Sequence, residues 1–186
     1  MAPRKKDGKE FVRPLVESLR KDQERKVDAI ALYVVLLGAG GDGLEERRAL
    51  ARKLGQTGIV AFIPEDDLSP DVAPSLAERD MLANGDIDLA FVNVQSWGSA
   101  AEFAEFQSDP KIAPKLRILV ERRYHPLYGS PGSSGYLTDS YLTHDAVFGH
   151  VYMYKGEDSP EWIPSTDEVV LKIADRYKQW RAFRSK

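Results

Sequence analysis

Four short segments of this chain are dominated by apolar and β-branched residues. They read IALYVVLL at 30–37, IVAFIP at 59–64, IDLAFVNV at 87–94 and LRILVE at 116–121. Runs of this length and kind fit strands covered on both faces, which a parallel sheet between helices provides. A shorter run, HVYMY at 150–154, makes a fifth strand. Helical patterns lie between these runs. Residues 9–26 carry Phe11, Val12, Leu15, Val16 and Leu19 at helical spacing, with Pro14 in the early turns. LEERRALARKL at 44–54, a helix within 70–84 and another over 99–107 follow. The helix within 70–84 opens either at Ser69-Pro70 or at Ser75 with Glu78. The last helix begins at a capping box, Ser165 with Glu168, and carries Val169, Val170, Ile173, Tyr177, Trp180 and Phe183 on one face.

This alternation predicts an α/β fold, a Rossmann-like or flavodoxin-like three-layer sandwich with about five parallel strands and helices on both faces. Residues 122–149, which include YGSPGSSGY, read as a long irregular loop of the kind that serves as a lid. The expected division is a basic arm and helix at 1–27 and one α/β domain at 28–186.

Composition narrows the chemistry. There is no cysteine, which excludes disulfides, thiolate catalysis and cysteine-type zinc sites. The net charge of −3 gives no general preference for nucleic acid. Residues 1–26 nevertheless hold nine Lys/Arg against five Asp/Glu. They read either as a solvated tail followed by a helix or as a contact for nucleic acid or a protein partner. No run approaches the ~20 apolar residues of a membrane helix, so a cytoplasmic protein without a membrane partner is expected.

In such a sheet the ligand lies beyond the carboxyl ends of the strands, where the strand order reverses. The loops after the first and third strands, GAGGDG at 38–43 and QSWGS at 95–99, flank that point. GAGGDG matches G-x-G-x-x-G, and Glu65, Asp66 and Asp67 follow the second strand where a ribose-binding carboxylate of a dinucleotide fold belongs. Arg47 stands where close helix–sheet packing usually demands a small residue, and it counts against that reading. The alternatives are a tight turn needing glycine dihedrals, or a loop passing close to a sugar or base. In the last case Gly38, Gly40 and Gly41 bring the backbone near the ligand, and Asp42 partners a sugar hydroxyl.

NVQSWGSAAEFAEF at 93–106 is more informative. Ser96, Gly98 and Ser99 precede a helix, and free N–H groups at a helix start suit a phosphate. Glu102 follows. A carboxylate there can attack an anomeric carbon or stabilise an oxocarbenium ion. Ser99 to Glu102 is also S-x-x-E, a capping box, in which Glu102 only returns a hydrogen bond to the backbone.

Over residues 30–107 the pattern resembles the nucleoside 2-deoxyribosyltransferase-like family, and within it the deoxynucleoside 5′-phosphate N-hydrolase branch. The resemblance rests on the strand and glycine loop, two further βα units, and Ser96, Gly98 and Glu102. It implies that Glu102 is a nucleophile that attacks C1′ and releases the base, and that Ser96 helps to hold the 5′-phosphate. Asp80 matches an acid that protonates or orients the base, and Asp88 matches the residue opening the third strand. Homo-oligomers are common in that family. The Ser-Trp before Glu102 is loosely similar to TIR domains, many of which cleave NAD at the nicotinamide–ribose bond, and relatives of both groups act as effectors in phage defence.

The implied function is cleavage of an N-glycosidic bond in a nucleotide or nucleoside, with no metal or redox cofactor. A TIR-like NAD glycohydrolase, a non-catalytic nucleotide-binding module and a Rossmann NAD-binding protein are the alternatives. His125, His144 and His150 have no metal-ligand spacing, and no P-loop or nucleophile-elbow motif exists. Tyr124, Tyr128, Tyr136 and Tyr141 either stack on a base or anchor the long loop.

Overall fold

A computed structural model describes residues 8–130, 135–156 and 159–184. Its centre is a five-stranded, all-parallel sheet in the order β2-β1-β3-β4-β5. The strands are β1 (Leu32–Leu37), β2 (Ile59–Phe62), β3 (Leu89–Asn93), β4 (Leu116–Glu121) and β5 (Val151–Tyr154). Val34 pairs with Ala61 on one side and Leu89 on the other, so β1 is interior. This is the Rossmann-like, flavodoxin-like α/β architecture expected from the alternation of apolar runs and helices.

Alternate residues of each strand feed two cores, as the strand repeat of two requires. Leu32, Val34, Leu36, Phe91 and Leu119 face helices α2 (Asp42–Gln56) and α7 (Thr166–Arg184). Val35, Leu37, Val92, Ile118 and Val120 face α4 (Pro74–Asn84), α5 (Trp97–Phe106) and α6 (Tyr136–Phe148). A single helical turn, α3 (Pro64–Asp67), follows β2. The first helix, α1 (Gly8–Asp28), packs on α7 and leaves Val12, Leu15, Val16 and Leu19 exposed. Residues 1–7 of the basic arm lie outside the described residues.

The final helix opens as expected: the Glu168 N–H donates to Ser165 Oγ and the Ser165 N–H to Glu168 Oε2. The segment read as an irregular loop is different. It holds a 3-10 turn at Arg122–Tyr124 and the thirteen-residue helix α6, which carries the chain across from β4 to β5. The irregular reading therefore does not hold over 136–148, and residues 131–134 of the segment lie outside the described residues. Among the described residues no helix is long and apolar enough to cross a membrane.

Candidate functional site at the strand crossover

The order β2-β1-β3-β4-β5 reverses direction between β1 and β3. Connections leave to opposite faces there, so a crevice forms beyond the carboxyl ends of these two strands. The GAGGDG and QSWGS loops sit at its two sides. A cleft of about 450 Å³ opens between the glycine loop and the start of α7. Gly38, Ala39 and Gly43 line it from the first loop, and Asn93 and Gln95 from the end of β3.

The glycines do different things. Gly41 precedes α2 with φ +60, a conformation that favours glycine. Gly38 allows a close approach. A Cβ there would stand 3.4 Å from the Asn93 carbonyl oxygen and 3.6 Å from Arg47 Nε. Gly40 is exposed, as is Asp42 in the first turn of α2.

Arg47 is the residue whose importance the sequence hid. It is buried beneath the glycine loop at 7 % exposure. Nη1 donates to the Leu36 carbonyl at 3.2 Å and Nη2 to the Ala39 carbonyl at 2.9 Å, so the guanidinium pins the loop from below. The same nitrogens hold Glu65 in a two-pronged pair at 2.8 and 2.6 Å. Asp66 pairs with Arg48, and Asp67 accepts from the Ile63 N–H at 2.7 Å. All three acids placed where a dinucleotide ribose would be held are engaged by the protein itself.

At the other loop, Glu102 is not the capping residue. The capping box is Ser96 with Ser99, not Ser99 with Glu102. Ser96 is the N-cap and accepts from the Ser99 N–H at 3.2 Å. Ser99 Oγ accepts from the N–H groups of Ser96 and Gln95 at 3.1 and 3.2 Å. The helix therefore starts two residues earlier than expected, and Glu102 stands in its second turn with no capping duty. The same geometry occupies the hydroxyls read as phosphate ligands. Ser99 is 1 % exposed and holds the turn. Ser96 and Gly98 are exposed at the helix start, and no hydrogen bond occupies the Trp97 and Gly98 N–H groups among the described residues.

Glu102 is half-buried, and its Oε2 is a buried atom with no hydrogen-bond partner. Burial pushes its carboxyl above the usual range; the charge of Glu65 adds to this and Arg47 opposes it. Asp80 is not brought to it. That side chain is exposed on α4 and accepts from Asn84 Nδ2 at 2.8 Å. Two residues earlier, Glu78 turns inward at 8 % exposure. Burial, then the charges of Glu102 and Glu65, push its carboxyl up to about 7. Arg79 next to it reaches Glu105 at 4.0 Å and Asp109 at 3.2 Å, which docks α4 beside α5 and brings Glu78 toward Glu102. Asp88 lies at the opposite, amino end of the sheet, where it accepts from the Tyr33 N–H at 3.0 Å and pairs with Arg181.

Among the described residues, five buried side-chain atoms lack a hydrogen-bond partner. Two are the ring nitrogens of His144, in α6 near His150. The other three, Arg47 Nε, Asn93 Oδ1 and Glu102 Oε2, belong to the crossover. Each such atom left unpaired costs about 1–3 kcal/mol, and three of the five lie on residues of the crossover. Among the described residues, no group of three or more His, Asp or Glu side chains is disposed to hold a metal ion. Comparison with protein-family models and with curated protein sequences returns no match.

Proposed function

We propose that this protein cleaves the N-glycosidic bond of a nucleotide or nucleoside, with Glu102 as the nucleophile. The observation that carries the reading is the unpartnered, desolvated Glu102 carboxylate at the strand crossover, released from capping by the Ser96–Ser99 box. Glu78 is its counterpart. Two carboxyls whose surroundings separate their titrations divide into an ionised nucleophile and an acid that keeps its proton near neutral pH. Glu102 forms a bond to C1′ as the C1′–N bond breaks. The bonding pair leaves with the base, which takes up the proton of Glu78. Water then attacks C1′, returns a proton to Glu78 and frees Glu102; in a transferase a second base takes the place of water. The free Trp97 and Gly98 N–H groups at the start of α5 suit the 5′-phosphate. The nicotinamide–ribose bond of NAD is of the same chemical class, and it belongs in the same test.

The test is chromatography of the products after incubation with nucleoside 5′-monophosphates, deoxynucleosides and NAD, with Glu102→Gln run beside wild type. Expected is release of a free base or nicotinamide by wild type, falling about 10³-fold or more in the variant. Turnover that survives Glu102→Gln, or none with any of these substrates, overturns the reading.

A further inference from the structure

The cleft beside the glycine loop does not contain Glu102, yet it shares Arg47 with the carboxylates. Its floor is apolar, built from Leu36, Leu50, Phe91, Leu119 and Val170. Its rim is balanced in charge. Asp167 is paired with Lys53 and Arg47 with Glu65, which leaves Glu46 and Lys155, of opposite sign, at the mouth. An apolar floor with a neutral rim suits a flat uncharged ring better than a phosphate.

Two of the unpartnered buried atoms belong to residues that line this cleft. Asn93 Oδ1 is an acceptor without a donor, and Arg47 Nε is a donor without an acceptor. Arg47 Nε and the Asn93 backbone oxygen both lie within 3.6 Å of the missing Cβ of Gly38, so the two residues meet across that glycine. The four other donor positions of the Arg47 head on Nη1 and Nη2 are directed at Leu36, Ala39 and Glu65, which holds Nε in a fixed place. Gly40 and Gly41 are exposed beyond the cleft lining, and nothing lies within 4 Å of either missing Cβ. Both atoms are covered in this structure, so a ring reaches them only when neighbouring groups shift.

We infer that this cleft seats the heterocyclic ring of the substrate, with Asn93 Oδ1 accepting from a ring N–H or amino group and Arg47 Nε donating to the acceptor beside it. This rests on the glycosidic reading and adds to it where the leaving group lies. The cation of Arg47 then stands next to the ring that receives the bonding pair, and it stabilises the charge that develops there. A neighbouring donor and acceptor occur on the edge of a nucleobase and also on the carboxamide of nicotinamide.

The test is calorimetric binding of free rings to the whole chain: adenine, uracil and nicotinamide, against pyrimidine and pyridine, which carry no N–H or amino donor. Wild type, Asn93→Leu, Gly38→Ala and Glu102→Gln are compared. Expected is preferential binding of a ring that carries a donor beside an acceptor. That binding falls about 10- to 100-fold in Asn93→Leu, falls in Gly38→Ala, whose added methyl fills the gap, and is unchanged in Glu102→Gln. Adenine or uracil as the bound ring identifies a nucleobase, and nicotinamide identifies a dinucleotide. Equal binding of pyrimidine or pyridine, or unchanged binding in both cleft variants, overturns the inference. Ring binding that persists while no substrate is turned over overturns the glycosidic reading alone; turnover that persists with unchanged KM in Asn93→Leu overturns the ring seat alone.

Discussion

At the scale of single residues, the proposed site turns on two glutamates, Glu78 and Glu102, each raised by burial and by the charge of Glu65. Arg47 lowers both carboxyls, but Glu78 titrates against the charge of Glu102, so Glu102 ionises first. The proposed chemistry needs Glu102 ionised and Glu78 protonated. Activity should therefore rise with pH as Glu102 loses its proton, above the ordinary carboxylate range, and fall as Glu78 loses its own near pH 7. The two limbs belong to the coupled pair rather than to either residue alone. Glu78→Gln should abolish the alkaline limb and lower kcat by about 10²- to 10⁴-fold. A pH–rate profile whose alkaline limb survives that change removes Glu78 from the mechanism. The choice between Glu78 and Asp80 was not legible in the sequence. Two residues apart on a helix differ by about 200° in direction, and only the packing of Leu82 into the core decides which carboxyl turns inward. The two roles of Glu102 were equally open, because S-x-x-S and S-x-x-E overlap at Ser99 and spacing does not rank them.

At the scale of elements, the strands were readable because a parallel sheet buried on both faces demands uninterrupted β-branched and aromatic runs. Helix α6 was not. Thr138, Asp139, Ser140, Thr143 and Asp145 are poor helix formers, and its buried face presents Ser140, Tyr141 and His144 in place of an aliphatic stripe. Packing of Tyr141 and His144 on Phe103 overrides the local preference. Another joint between elements is equally invisible in the sequence. Lys178 of α7 is buried at 5 % exposure and donates to the Thr57 carbonyl at 3.0 Å, at the exit of α2. The cation meets carbonyl groups that the helix end leaves unpaired. Lys178→Met keeps the volume of the chain but strands those carbonyls. It should lower stability by about 1–3 kcal/mol in denaturant unfolding, with the sheet preserved in far-UV circular dichroism.

At the scale of the whole molecule, buried His144 ties the stability of the fold to pH. It is 2 % exposed between Phe103 and Phe148. Burial, with the positive fields of His150 and Arg117, pulls its titration from 6.5 down to about 4, while Asp145 opposes this. The folded chain thus refuses a proton that the unfolded chain accepts. Its full contribution is present above pH 6.5 and is lost progressively as pH falls toward 4. About 3 kcal/mol is the scale of that loss. Burial lowers His125 and His150 as well, in the same direction. In thermal unfolding between pH 7 and pH 4, His144→Phe should flatten the decline while keeping the aromatic packing. An unchanged slope places the acid sensitivity elsewhere.

Trp97, 89 % exposed at the first position of α5, has a practical consequence. The three indoles of the chain, Trp97, Trp162 and Trp180, all face solvent, so each emits at long wavelength. Of the three, Trp97 opens the helix proposed to receive the substrate's phosphate. A ligand settling there quenches or blue-shifts one fluorophore of three, and Trp97→Phe leaves the background of the other two. The molecule carries its own optical reporter of occupancy at the loop after β3.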